Sequence, residues 1–139
     1  MKSITSIIIL FVLAHCTSTR QLPKEITTET GLKYTVLKTG KGKSARAGNE
    51  VAIYESMGYL NGQIYFSIER PKQPVKFTLG GYQAIDGIDE GVTGMKVGEI
   101  RKLIIPPALS KRSEYPPNLS PDSTLLYKIE LVEITITKQ

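Results

Sequence analysis

The chain has little with which to do covalent or metal chemistry. Its 139 residues include one cysteine, one histidine and no tryptophan. A single Cys, Cys16, excludes an intramolecular disulfide, and a single His, His15, excludes a zinc-type His/Cys cluster. Both lie near the start, so the remainder has neither thiol nor imidazole for nucleophilic catalysis. Long apolar runs are missing too. The stretch from Ile7 to Leu13 is well short of the roughly 20 residues that span a bilayer. Gly87, Gly91 and Gly94 follow neither the phosphate-loop spacing nor the dinucleotide fingerprint. No metal and no cofactor is expected.

Charge does not single out a polyanionic partner either. The formal charge is +5, but the basic residues are scattered. The nearest approach to a cluster, Lys38, Lys41, Lys43 and Arg46, is interspersed with Gly40, Gly42 and Gly48 and reads as a solvated loop. Nucleic acid is therefore not an expected partner. With 22% charged and 40% hydrophobic residues, the balance is that of one ordinary globular domain.

What is present begins with a targeting pattern. Lys2, the apolar run Ile7 to Leu13 and then Ala14-His15-Cys16 read as a signal peptide over residues 1–15. Leu13-Ala14-His15-Cys16 resembles a bacterial lipobox, although His15 replaces the usual small residue. Lipidation of Cys16 would hold the protein at a membrane on the extracytoplasmic side of a bacterial envelope. An ordinary cleaved signal and an uncleaved anchor are the other readings. Residues 16–30 are polar and without period, a tether, and residues 31–137 form the domain.

Within the domain, Leu32 to Leu37 and Val75 to Leu79 alternate apolar and polar residues, the period of half-buried strands. Val51 to Leu60 and Ile64 to Ile68 flank Asn61-Gly62, a hairpin signal. Ile85, Ile88, Val92 and Met95 fall on one face of a helix, with Asp86, Asp89 and Glu90 early in it, where the dipole favours acids. Ile100 to Ile105 is a strand stopped by Pro106-Pro107, and Leu126 to Ile136 is the last strand. Lys38 to Gly48 and Glu69 to Pro74 are expected to be loops. The fold class is α+β.

The run Phe77-Thr78-Leu79-Gly80, Ile85-Asp86-Gly87-Ile88-Asp89-Glu90-Gly91-Val92, Met95-Lys96-Val97-Gly98-Glu99 and Leu103-Ile104-Ile105-Pro106-Pro107 resembles the signature half of the FK506-binding-protein family of peptidyl-prolyl cis-trans isomerases. The resemblance covers roughly Gly31 to Ile136. It implies a twisted antiparallel sheet wrapped over one short amphipathic helix, a shallow apolar pocket between them and a monomer acting on proline-containing chains. Tyr65, Ile85 (through its backbone N–H) and Tyr127 would be the catalytic positions. Tyr54, Phe66, Val75, Ala84 and Ile88 would complete the substrate-binding walls, with Ser56 the alternative to Tyr54.

The match is weaker in polar positions. The family's Phe-Asp pair reads Tyr65-Phe66, its arginine falls at Pro71, and its tyrosine and glycine after the Ile-Pro-Pro strand fall at Lys111 and Arg112. Phe66 is expected to fill the vacated space and make the deep end drier. Two functions follow. One is an isomerase, attenuated by the missing polar groups, that assists the folding of exported proteins. The other is a non-catalytic module that holds peptides or a partner. The sequence leaves open whether the loop from Ala108 to Ser123 covers the pocket.

Overall fold

The computed structural model describes residues 22–136. The signal segment, Cys16 and the first part of the tether lie outside the described residues. The remaining elements are β1 (Glu25–Thr27), β2 (Lys33–Lys38), β3 (Lys41–Ser44), β4 (Glu50–Tyr59), β5 (Ile64–Ile68), β6 (Val75–Thr78), α1 (Asp86–Val92), β7 (Lys96–Val97), β8 (Ile100–Ile105), a 3-10 turn (Pro107–Leu109) and β9 (Leu125–Thr135). An antiparallel sheet of order β1-β2-β8-β9-β4-β5, with β6 also paired to β4, carries α1, the one α-helix among the described residues, against a face. This is the α+β architecture expected.

Alternation decides which side of the sheet is core. Along β4, Val51, Ile53 and Met57 share one face with Ile129 and Leu131 of β9, and all five are at most 1% exposed. Against that face lies α1, brought unusually close by its glycines. A Cβ at Gly87 would run into the Ile105 side chain, and one at Gly91 into Leu103. The poor helix formers of this segment are thus where the helix meets β8.

Several expectations need correction. Glu25–Thr27, assigned to the tether, adds an edge strand to β2. The segment 38–48 is not all loop, because Lys41–Ser44 pairs with Lys96–Val97 in a small second sheet; polar residues on exposed strands give no alternation to detect. The helix is also shorter than its apolar spacing suggested. Ile85 is its N-cap, and Met95 lies beyond Gly94, whose φ of +82° turns the chain out of the helix. Met95 is nevertheless fully buried.

No basic residue in its own last turn stabilises the end of α1. Arg101 of β8 does so from outside, donating from Nη1 to the Gly91 carbonyl at 3.1 Å and to the Thr93 carbonyl at 3.4 Å. Its Nε donates to Glu99 at 2.6 Å, and its guanidinium lies 4.7 Å from the Tyr34 ring centroid. At the other end the Asp89 carboxylate accepts the Gly80 N–H at 2.9 Å, tying the turn after β6 to the helix.

Candidate functional site

A cavity of about 480 Å³ opens where the core face of β4 and β9 meets β6, the start of α1 and the loop after β8. It brings together Phe66, Val75, Ala84, Ile85, Ile88 and Tyr127, as expected from the sequence, and adds Ile53, Phe77 and Gln83. Phe66 is placed by register, since it pairs with the core-facing Met57. Its ring meets that of Tyr127 edge to face, 6.5 Å between centroids at 78°. Ile88, 4% exposed, forms part of the wall from the helix.

Ile85 contributes backbone as well as side chain. Its carbonyl accepts the Ile88 and Asp89 N–H groups at 2.9 and 3.1 Å, starting the helix. Its own N–H has no partner among the described residues, as befits a helix N-terminus.

Tyr54 and Tyr65 are not brought to this cavity. Tyr54 lies on the opposite face of β4 with Ser56, so neither alternative for the missing tyrosine reaches it. The Tyr54 hydroxyl donates to the Lys72 carbonyl at 3.0 Å, and Arg70, paired to Glu130, stacks 4.5 Å from its ring. Tyr65 is displaced by a bulge. Met57 pairs with Phe66 and Gly58 with Ile64, which leaves Tyr65 as the extra residue. Its ring stands edge-on to Phe66 at 6.4 Å, and its hydroxyl donates to the Pro117 carbonyl at 2.7 Å. Together with Tyr59, which donates to the Asn118 carbonyl at 2.9 Å, it fastens the proline-rich loop to the β4–β5 hairpin.

Three charged residues line the cavity that the sequence did not place there, Glu55, Arg112 and Lys76, the last with its ammonium paired to Glu133. Phe66 does pack inward as expected, but the deep end is not stripped of charge. An acid arrives from β4 instead of β5, and a guanidinium from the loop after β8 instead of the segment before β6. Burial pushes the Glu55 carboxyl above the usual carboxylate range, and the nearby Arg112 partly opposes this. Burial likewise raises the Tyr127 phenol, against the hydrogen bond that Arg112 Nη2 donates to it at 3.3 Å. The signal for Glu55 was present: the period of two that puts Tyr54 and Ser56 on one face puts Glu55 on the other, with Ile53 and Met57. Arg112 sits in a loop without periodicity, where sequence gives no orientation.

Chemically, the site can hold an apolar ring against Phe66, Ile88 and Tyr127 while the Ile85 N–H donates to a carbonyl beside it. Among the described residues, those that line it include neither a thiol nor an imidazole. The arrangement favours binding and orientation over bond-making.

Residues 41–132 match the family model described as FKBP-type peptidyl-prolyl cis-trans isomerase. Human peptidyl-prolyl cis-trans isomerase FKBP14 is 43% identical over 91 residues, covering 63% of this chain and 43% of that protein. FK506-binding protein 1 of Dictyostelium discoideum is 37% identical over 107 residues, covering 73% of this chain and 96% of that protein. The chain thus spans less than half of the first relative and nearly all of the second. Among solved structures, FkpA from Escherichia coli has a TM-score of 0.70 at 31% identity, covering 80% of this chain and 51% of that one. A peptidyl-prolyl cis-trans isomerase from Pseudomonas syringae has a TM-score of 0.70 at 23% identity, covering 83% and 84%, a likeness of fold alone.

Proposed function

The chain belongs to the FKBP-type peptidyl-prolyl cis-trans isomerase family, and on that footing we propose that it accelerates X-Pro isomerisation in exported polypeptides. The observation that carries this is the meeting of aromatic and aliphatic walls with an Ile85 N–H that has no partner among the described residues. Isomerisation needs no nucleophile. The amide must give up its resonance as it twists, against a barrier near 20 kcal/mol. The proline ring sits against Phe66, Ile88 and Tyr127, and the Ile85 N–H fixes a neighbouring carbonyl. An apolar cavity favours the less polar twisted amide over the planar one, so the transition state is bound better than the ground state.

Glu55 and Arg112 temper that advantage. Their charges keep part of the wall hydrated, which supports an attenuated catalyst. The N-terminal segment supports a protein held by a lipid on Cys16 at the extracytoplasmic side of a bacterial membrane, with the domain acting as a monomer whose cavity is complete within one chain.

Cis-trans exchange of X-Pro peptides, followed by NMR with the full chain, tests the catalytic reading. Ile85 has φ −66°, the value proline imposes, so Ile85→Pro removes the N–H with little backbone change. Acceleration that falls about tenfold or more in this variant, while Ile85→Val retains most of it, would fit a transition-state hydrogen bond. Exchange left unaccelerated across several residues before proline would instead make the domain a peptide-holding module. The mass of the mature N-terminus tests the lipid separately.

A further inference from the structure

We propose that the cavity continues into a charged subsite, walled by Tyr82 and Lys111, that takes an acidic side chain within two residues of the proline. The inference rests on the isomerase reading for the place of the proline and deepens it. A second recess of about 370 Å³ adjoins the cavity and shares Gln83, Ala84, Ile85 and Arg112 with it. Arg112 is the partition. Its Nη2 is turned to the Tyr127 hydroxyl, and its Nε donates to the Ser110 carbonyl at 3.3 Å. Lys111 lines only the outer recess and is exposed. Asp86 is the one acid lining that recess, facing two cations. A chain leaving the cavity along Ile85 therefore passes Arg112 and then Lys111, and charge complementarity selects an acidic neighbour.

Tyr82 is the second observation. It has φ +56° and is 94% exposed. Glycine would adopt that backbone without strain, as Gly80 does two residues earlier, yet the position carries an aromatic ring that the fold does not bury. Strain of this kind gathers where a ligand is held. At the rim of the recess the ring offers apolar surface to the stem of the bound side chain, while Lys111 meets its charge.

The test uses the full chain and proline peptides identical except for Glu or Lys beside the proline, with dissociation constants read from NMR shifts. The Glu peptide should bind about fivefold more tightly, the worth of one exposed ion pair, and the gap should close in high salt. Lys111→Glu should reverse the order. Tyr82→Gly should weaken both peptides while raising the melting temperature, the opposite of what a structural role predicts. Equal affinities, a preference that Lys111→Glu leaves unmoved, or no binding of either peptide would overturn the subsite. A Glu preference that reverses with Lys111→Glu in a protein that accelerates no exchange would retain the subsite and remove the isomerase reading.

Discussion

The Arg112 guanidinium donates to the Tyr127 hydroxyl across 3.3 Å, so the cation in the cavity is held by the last strand of the sheet. Glu55, on the adjoining strand, lines the same cavity and feels that charge. Glu55 therefore responds to pH through its surroundings.

For Glu55 the sign follows from burial. Its folded pKa is raised, so its contribution to stability is fully present below the unfolded carboxylate value of about 4.3 and is lost as pH rises through the raised value. Glu55→Gln should therefore melt higher than the parent at pH 7, and the difference should vanish near pH 4. Arg112→Gln should widen the parent's loss with rising pH, because the charge that lowers the Glu55 pKa is gone. Thermal unfolding from pH 3.5 to 8 checks both. A difference that grows toward low pH would contradict the burial argument.

Gly91→Ala pits helix propensity against packing. Alanine gains up to about 1 kcal/mol in a helix interior. Its Cβ, however, would meet the side chain of Leu103, which is fully buried and cannot swing away. Overpacking of this kind costs about 1–3 kcal/mol. The variant should therefore be destabilised by about 1 kcal/mol, measured by urea unfolding. Added stability would mean that the helix and β8 can separate.

Arg101→Met should destabilise strongly, by about 3–5 kcal/mol, since it leaves Glu99 buried without its cation and the Gly91 carbonyl without its donor. Adding Glu99→Gln should recover a large part of that loss, because the double variant buries no unpaired charge. Denaturant midpoints of the two singles and the double close this cycle. Strict additivity would show that the pair is not coupled.

Tyr65→Phe removes one hydroxyl from the hairpin that holds the proline-rich loop. A single hydrogen bond is worth about 0.5–1.5 kcal/mol, here local to the loop. Trypsin cleavage after Lys111 or Arg112 should quicken about fivefold while the melting temperature stays nearly constant. Loss of catalysis without faster cleavage would return Tyr65 to the wall of the site.

Much of the fold was legible because it is written in periods. Val51, Ile53 and Met57 alternate, and Ile85, Ile88 and Val92 recur at helical spacing. It was the family resemblance, carried onto those elements, that pointed to Phe66, Val75, Ile88 and Tyr127, and all four line the cavity. The periods failed where the pattern breaks. The bulge beside Gly58 rotates Tyr65 away, and no pattern in the residues announces a bulge. Glu55 was obscured for a different reason: a charged residue on a core face contradicts the hydrophobic rule used to find that face. Arg112 and Tyr82 depend on loop conformation, which alternation does not govern.

The position of β9 between β8 and β4 has a consequence for how the molecule comes into being. The strand nearest the C-terminus is an interior strand, so a growing chain that has not yet reached Leu125 offers two unpaired edges and no Tyr127. Nothing shorter can assemble the cavity, and the mostly long-range pairing makes closure slow once it becomes possible. A polypeptide with this order of strands cannot complete its cavity until β9 is available to join β8 to β4. That is a useful property for a chain proposed to cross a membrane before it folds.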